Sequence, residues 1–326
     1  MRYISSMILA VAVLFSASGV MADTFGTGGN QFTIDFVPIS GATNPTSGIP
    51  AGYEFSFTGV ANDFRMGTYE ITNDQWNKFK VSLGLPVTGS PSNAYNQNTV
   101  YAGANAPTDS VSWYQAAQFV NWLNTSTNHP AAYKFTGTQG TGNYTLATWS
   151  PVQAAGGTNL YRNADAFYYL PTEDEWVKAA YWNGATLQTY ATKPGDTLFR
   201  GNGTNGGWNY WDWDNGPDAH AERPWNVGSG SEELNGTYDM MGNVWEWMES
   251  PYRDSSYGAA LSRGLRGGDW YIYSYGLAAS YRIGDTPAGE NGYSVGFRVA
   301  SVPEPGSITL VLSSATAALI WWRRRK

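Results

Sequence analysis

The residues best placed to do chemistry lie in Gly236–Trp247, GTYDMMGNVWEW. Two carboxylates, Asp239 and Glu246, stand seven positions apart around a Gly242-Asn243 turn. Hard cations such as calcium take oxygen ligands from carboxylates and from carbonyls on irregular backbone, and this segment offers both. Its density of Gly, Asn and Trp predicts neither an ordinary helix nor an ordinary strand. A second stretch, Tyr271-Ile272-Tyr273-Ser274-Tyr275, alternates aromatic residues. Tyrosine and serine are adaptable contact residues, and aromatic faces suit sugar rings, so Tyr271, Tyr273 and Tyr275 are candidate ligand contacts. Core packing is the competing account of the same residues.

Other chemistries are excluded or poorly supported. The chain has no cysteine, which removes thiol catalysis, thiolate metal sites and disulfides. Two histidines, His129 and His220, do not make a multi-histidine metal centre. No nucleophile-elbow spacing occurs, and GTGG at Gly26–Gly29 lacks the strand-to-helix context of a phosphate loop. The net charge is −7, and the body is more acidic still once Arg2 and the terminal Arg323-Arg324-Arg325-Lys326 are set aside. That balance argues against nucleic acid as a partner and is compatible with bound cations.

These residues need elements to hold them. Thr72 with Gln75, Ser112 with Gln115 and Thr172 with Glu175 are capping-box patterns. They predict helices from position 73, over Trp113–Asn124, and over Glu173–Tyr181. Alternation predicts strands at Gln31–Val37, Tyr53–Phe57 and Arg65–Ile71. Gly-, Ser- and Asn-rich loops separate them, and no internal repeat or interdomain linker stands out. The reading is one α+β domain of about 280 residues with few helices, short antiparallel strands and long loops.

Residues 1–22 read as a secretory signal: Arg2, the apolar Met7–Phe15, then Val20-Met21-Ala22 as the cleavage pattern. Residues 302–326 join Val302-Pro303-Glu304-Pro305, an apolar run Ser307–Trp322 long enough for a short transmembrane helix, and a basic tip. That order resembles the PEP-CTERM sorting tail of Gram-negative bacteria. The resemblance implies export, an exosortase as sorting partner, and delivery to the envelope, the cell surface or the medium. Membrane contact is then expected only through the tail before processing.

Five blocks in order resemble the formylglycine-generating (sulfatase-modifying factor) family: Tyr69–Trp76, Pro107–Asn124, Leu170–Trp176, Gly236–Trp247 and Arg263–Ala300. They cover nearly all of the body, 23–301. The resemblance implies an irregular C-type-lectin-like fold. It also implies a calcium held by the side chains of Asp239 and Glu246 and the carbonyls of Gly242 and Val244. A second family calcium would lie near Asn202, with Asp212 and Asp214 as loosely aligned candidates. Trp245 matches a tryptophan near the family's active site, and Asp269 stands where the family has a serine, so both join the candidate ligand residues. The family oxidises a sulfatase cysteine with copper held by two cysteines; here those positions are Ile272 and Leu277. Copper(I) selects thiolates, so no copper is expected.

The leading expectation is an exported, non-catalytic module binding an extracellular glycan or protein. The alternatives are a formylglycine-generating-type or other oxidoreductase acting in the same cleft, and a purely structural matrix component. Arg266, Arg282 and Arg298 are expected to hold carboxylates and carbonyls in a loop-rich core.

Overall fold

The computed structural model describes residues 20–44, 57–85, 101, 103–139, 141, 143–154, 159–212, 223–252, 261–288 and 294–303. All three capping boxes close as the sequence predicts. Thr72 accepts from the Gln75 amide at 3.2 Å while Gln75 accepts from the Thr72 amide at 2.8 Å, starting α1 (Asn73–Leu83). Gly84, in the left-handed region at φ 67°, ends it. Ser112 and Gln115 start α2 (Trp113–Ser126) in the same way, and Thr172 and Glu175 start α3 (Glu173–Tyr181). α2 runs two residues beyond its expected end, where the Thr125 and Ser126 hydroxyls bond back to carbonyls of the preceding turn.

The main sheet has five strands in the order β1 (Met21–Phe25), β2 (Phe32–Ile39), β3 (Phe64–Gly67), β11 (Ala300–Ser301) and β6 (Tyr168–Tyr169). Its neighbours pair antiparallel throughout. In β2 alternate residues Phe32, Ile34 and Phe36 face the core. β3 is shorter than the strand expected through Ile71. The strand expected at Tyr53–Phe57 falls, apart from Phe57, outside the described residues. β1 includes Met21 and Ala22 of the predicted cleavage pattern, whereas 1–19 lie outside the described residues. Arg65 ties the two ends of the domain together. Its guanidinium donates to Asp23 at 2.7 and 3.0 Å and to Ser301 at 2.9 Å.

A second sheet runs β10 (Val295–Gly296), β7 (Trp245–Pro251), β8 (Arg263–Arg266) and β9 (Ile283–Asp285), with β10 and β7 parallel. The last residues of GTYDMMGNVWEW therefore begin a strand, contrary to expectation, because Trp245 and Glu246 find backbone partners in Val295 and Gly296. A small hairpin, β4 (Lys134–Thr136) and β5 (Thr145–Ala147), completes the sheets.

Trp76, Trp113, Trp176 and Trp247 are fully buried between the helices and the two sheets. Truncating any one of them to alanine would cost about 3–5 kcal/mol. No helix among the described residues is long and apolar enough to cross a membrane; the tail from 304 lies outside them.

Candidate functional site

The signature segment is a loop folded on itself and pinned by distant polar groups. Asp239, Gly242 and Asn243 all have positive φ, at 59°, 80° and 63°. At Gly242 a side chain would overlap the Asn209 carbonyl oxygen, so both the conformation and the space call for glycine. The Asn243 side chain is a hub: it donates to Glu70 at 2.6 Å and accepts from Asn209 at 3.1 Å and the Trp225 amide at 2.7 Å. Glu70 also takes the Val244 amide at 3.1 Å. Glu233 takes the amides of Met240 and Met241, both at 3.0 Å. Sequence reasoning missed Glu70 and Glu233. Only the place of Glu70 inside the Tyr69–Trp76 block pointed to it.

Glu246 is held in a fully buried fork. Arg298 donates to its two oxygens at 2.7 and 2.6 Å, and the Trp176 indole donates at 2.7 Å. Arg298 also donates to the carbonyls of Gly67 and Tyr238. Arg266 and Arg282 share buried Glu173 at 2.6–2.8 Å. The three arginines therefore have the structural partners the sequence suggested.

Four buried carboxylates thus surround one guanidinium. Burial pushes Asp239 up to about 6 and Glu233 up to about 8. Burial, then the charges of Asp239 and Glu246, hold Glu70 well above the usual carboxylate range. Burial opposes the Arg298 charge, but Glu246 outweighs it and raises the guanidinium's pKa.

This donor set suits a hard cation in kind. A carboxylate has about four lone-pair sites, and Glu246 has three hydrogen bonds, leaving one site on Oε1. Asp239 Oδ2 accepts from the Gly228 amide at 2.7 Å. Among the described residues no group of three or more His, Cys, Asp or Glu side chains could hold a metal, so carbonyls would have to supply the balance. Asn202 turns its side-chain oxygen onto the amides of Thr204 and Asn205. Asp214 lies outside the described residues.

The two positions expected for copper-binding cysteines are close in space. A methyl group added at Gly268 would stand 2.8 Å from Ile272 and 2.9 Å from Leu277, so both side chains converge on that glycine. Leu277 is fully buried and Ile272 half-buried. Asp269, 9% exposed, accepts from the Tyr271 amide at 3.0 Å and braces the turn. Burial raises its pKa.

Around this turn the aromatic residues form a column. Trp211, which the sequence did not single out as a ligand contact, is stacked between Tyr271 and Tyr273 with ring centroids 4.7 and 4.8 Å away. Tyr275 follows at 6.0 Å from Tyr273. The end members Tyr271 and Tyr275 are 51% and 54% exposed. The column is anchored by the Trp211 amide, which donates to the Ile272 carbonyl at 2.8 Å. Trp245 is placed differently: only 5% exposed, it packs in the core against Tyr281. His129 stacks on Phe167 at 4.6 Å, a packing role.

Comparison with known proteins agrees with this architecture. The structure resembles that of Treponema denticola variable protein 1, with a TM-score of 0.58 and 21% identity, covering 86% of this chain and 99% of that one. It also resembles the crystal structure of CarF, with a TM-score of 0.56 and 20% identity, covering 83% and 99%. Both likenesses bear on the fold alone. In sequence the chain is 36% identical over 145 residues to inactive C-alpha-formylglycine-generating enzyme 2 of Mus musculus, covering 40% of this chain and 42% of that protein. It is 31% identical over 137 residues to hercynine oxygenase of Mycolicibacterium thermoresistibile, covering 36% and 28%. The chain thus spans less than half the length of these curated relatives. The domain model for sulfatase-modifying factor enzyme 1-like proteins matches residues 56–302, taking in the pinned loop, the Arg298 fork and the aromatic turn. By that match the chain belongs to the FGE-sulfatase (sulfatase-modifying factor) domain family.

Proposed function

We propose that this protein is an exported, non-catalytic member of its family that binds an extracellular glycan through the column Tyr271–Trp211–Tyr273–Tyr275. The observation that carries this reading is the apolar pair Ile272 and Leu277. It fills the place where the family resemblance implies two thiolates, and neither side chain can ligate copper(I). The name of the relative described as inactive points the same way. The exposed ends of the column supply flat apolar faces beside phenolic hydroxyls, the combination that pyranose rings stack on and bond to. The sorting tail supports export, with an exosortase as the partner in transit. A calcium on Asp239, Glu246 and the carbonyls of Gly242 and Val244 would neutralise the surplus of buried carboxylates and rigidify the loop.

The test has two arms. The protein is incubated with a cysteine peptide from a sulfatase, copper and oxygen, and the thiol is followed by mass spectrometry. The thiol is expected to remain, and conversion at an enzymatic rate would establish the oxidoreductase instead. Glycan-array binding is expected, with loss on Tyr271→Ala and Tyr275→Ala. Binding only to an envelope protein, or to nothing, overturns the glycan reading.

A further inference from the structure

A cavity of about 350 Å³ opens beside the aromatic column, walled by Tyr101, Gly103 and Ala106, by the loop around Gly203 and by a strap over 223–229. Tyr101, Arg223, Trp225, Asn226 and Ser229 bring its chemistry. Two of these walls are tied to the core. Asn73 at the start of α1 donates to the carbonyls of Tyr101 and Gly103 at 2.8 and 3.1 Å. The strap is held at Trp225 by Asn243 at 2.7 Å and at Gly228 by Asp239 at 2.7 Å. The Val227 amide bonds the Asn105 carbonyl at 2.9 Å, closing strap against loop. The Trp225 indole lies on bare glycine backbone: a methyl added at Gly203 would stand 3.4 Å from it. A pocket tied this way is formed in advance, so a ligand would not bear the cost of ordering it.

Its contents are also specific. An indole and a phenol offer apolar faces, while an amide and a hydroxyl offer hydrogen bonds. Arg223 is exposed, and no carboxylate among the described residues pairs with it, although the chain as a whole is acidic. Tyr101 touches Trp270 with ring centroids 5.9 Å apart, and Trp270 touches Tyr271 at 5.4 Å. The Trp270 indole N–H is buried with no acceptor among the described residues. Cavity and column are therefore parts of one aromatic path.

We propose that this cavity is a saccharide subsite for one pyranose ring bearing an anionic substituent. Trp225 and Tyr101 lie against the ring's C–H faces, Asn226 and Ser229 meet its hydroxyls, and Arg223 takes the anion. This rests on the glycan-binding reading of the column and names the class of sugar. A carboxylate and a sulfate ester share the chemistry that a guanidinium recognises.

The full chain is titrated with methyl β-D-glucuronide, glucose 6-sulfate and methyl β-D-glucoside, observed by saturation-transfer NMR and calorimetry. At least one anionic sugar is expected to bind about tenfold or more tightly than the neutral glucoside. Trp225→Ala is expected to abolish that binding. Arg223→Gln, an exposed change that leaves the fold intact, is expected to reduce it to the level of the glucoside. Equal affinity for the three sugars, no binding at about 10 mM, or binding untouched by Trp225→Ala overturns the proposal. Polysaccharide binding that survives Trp225→Ala but is lost in Tyr271→Ala would remove the subsite and leave the column standing. The reverse pattern would remove the column and leave the subsite.

Discussion

Replacing Asp109 by asparagine should stabilise the protein at alkaline pH and remove part of its pH dependence. Asp109 is 3% exposed, and its Oδ2 has no hydrogen-bond partner among the described residues. Among the described residues Oδ1 accepts only from the Ser110 hydroxyl at 3.2 Å, and Ser110 itself sits in the left-handed region at φ 55°. Burial pushes the carboxyl from its ordinary 3.8 to about 7, with the Ser110 hydrogen bond opposing. The folded chain therefore holds this proton more tightly than the unfolded one. Its contribution to stability is fully present below about pH 4 and is lost as pH rises to about 7. At about 1.36 kcal/mol per pH unit, the loss approaches 4 kcal/mol. Asparagine keeps the shape and carries no charge, so it avoids the loss. The assay is urea unfolding of both proteins at pH 4 and pH 8. Other buried carboxylates, Glu233 at about 8 among them, tilt stability in the same direction in both proteins, so the difference between proteins isolates Asp109. The expected result is a variant more stable than the parent by about 2–4 kcal/mol at pH 8 and nearly equal to it at pH 4. An unchanged pH dependence, or a variant weaker at pH 8, would refute the argument that Asp109 is desolvated and unpaired.

Two further perturbations address the acidic loop. Arg298→Leu leaves Glu246 buried without its cation and strands the Gly67 and Tyr238 carbonyls. It should cost about 3–5 kcal/mol or more, read as a lower midpoint in urea, and a loss under about 1 kcal/mol would show that the fork is not what holds the loop. For calcium, elemental analysis should find the metal in purified protein, and chelation should lower the melting temperature. At a free concentration of about 100 times its Kd, bound calcium adds about 2.7 kcal/mol. Metal content unchanged in Asp239→Ala and Glu246→Ala would place any calcium elsewhere.

What the sequence by itself determined was local or compositional. The three helix starts were legible because each is a reciprocal bond between residues three apart, Thr72 with Gln75, Ser112 with Gln115 and Thr172 with Glu175. The absence of cysteine fixed the chemistry that Ile272 and Leu277 cannot perform. The α+β class followed from helix caps scattered among Gly-rich loops and short alternating runs. Tertiary structure decided the rest, because the deciding contacts join residues with no sequence relation. Asn243 meets Glu70 across 173 positions, and Trp176 meets Glu246 across 70. Only folding could insert Trp211 between Tyr271 and Tyr273, or bury Trp245 while leaving Tyr271 and Tyr275 at the surface. The same holds for the carboxylates. Asp239 and Glu246 announced themselves as oxygen donors, but their charge balance depends on Arg298, Glu70 and Glu233. In a loop-rich domain each backbone turn must find its hydrogen bonds outside a regular ladder, so its partners come from wherever packing brings them.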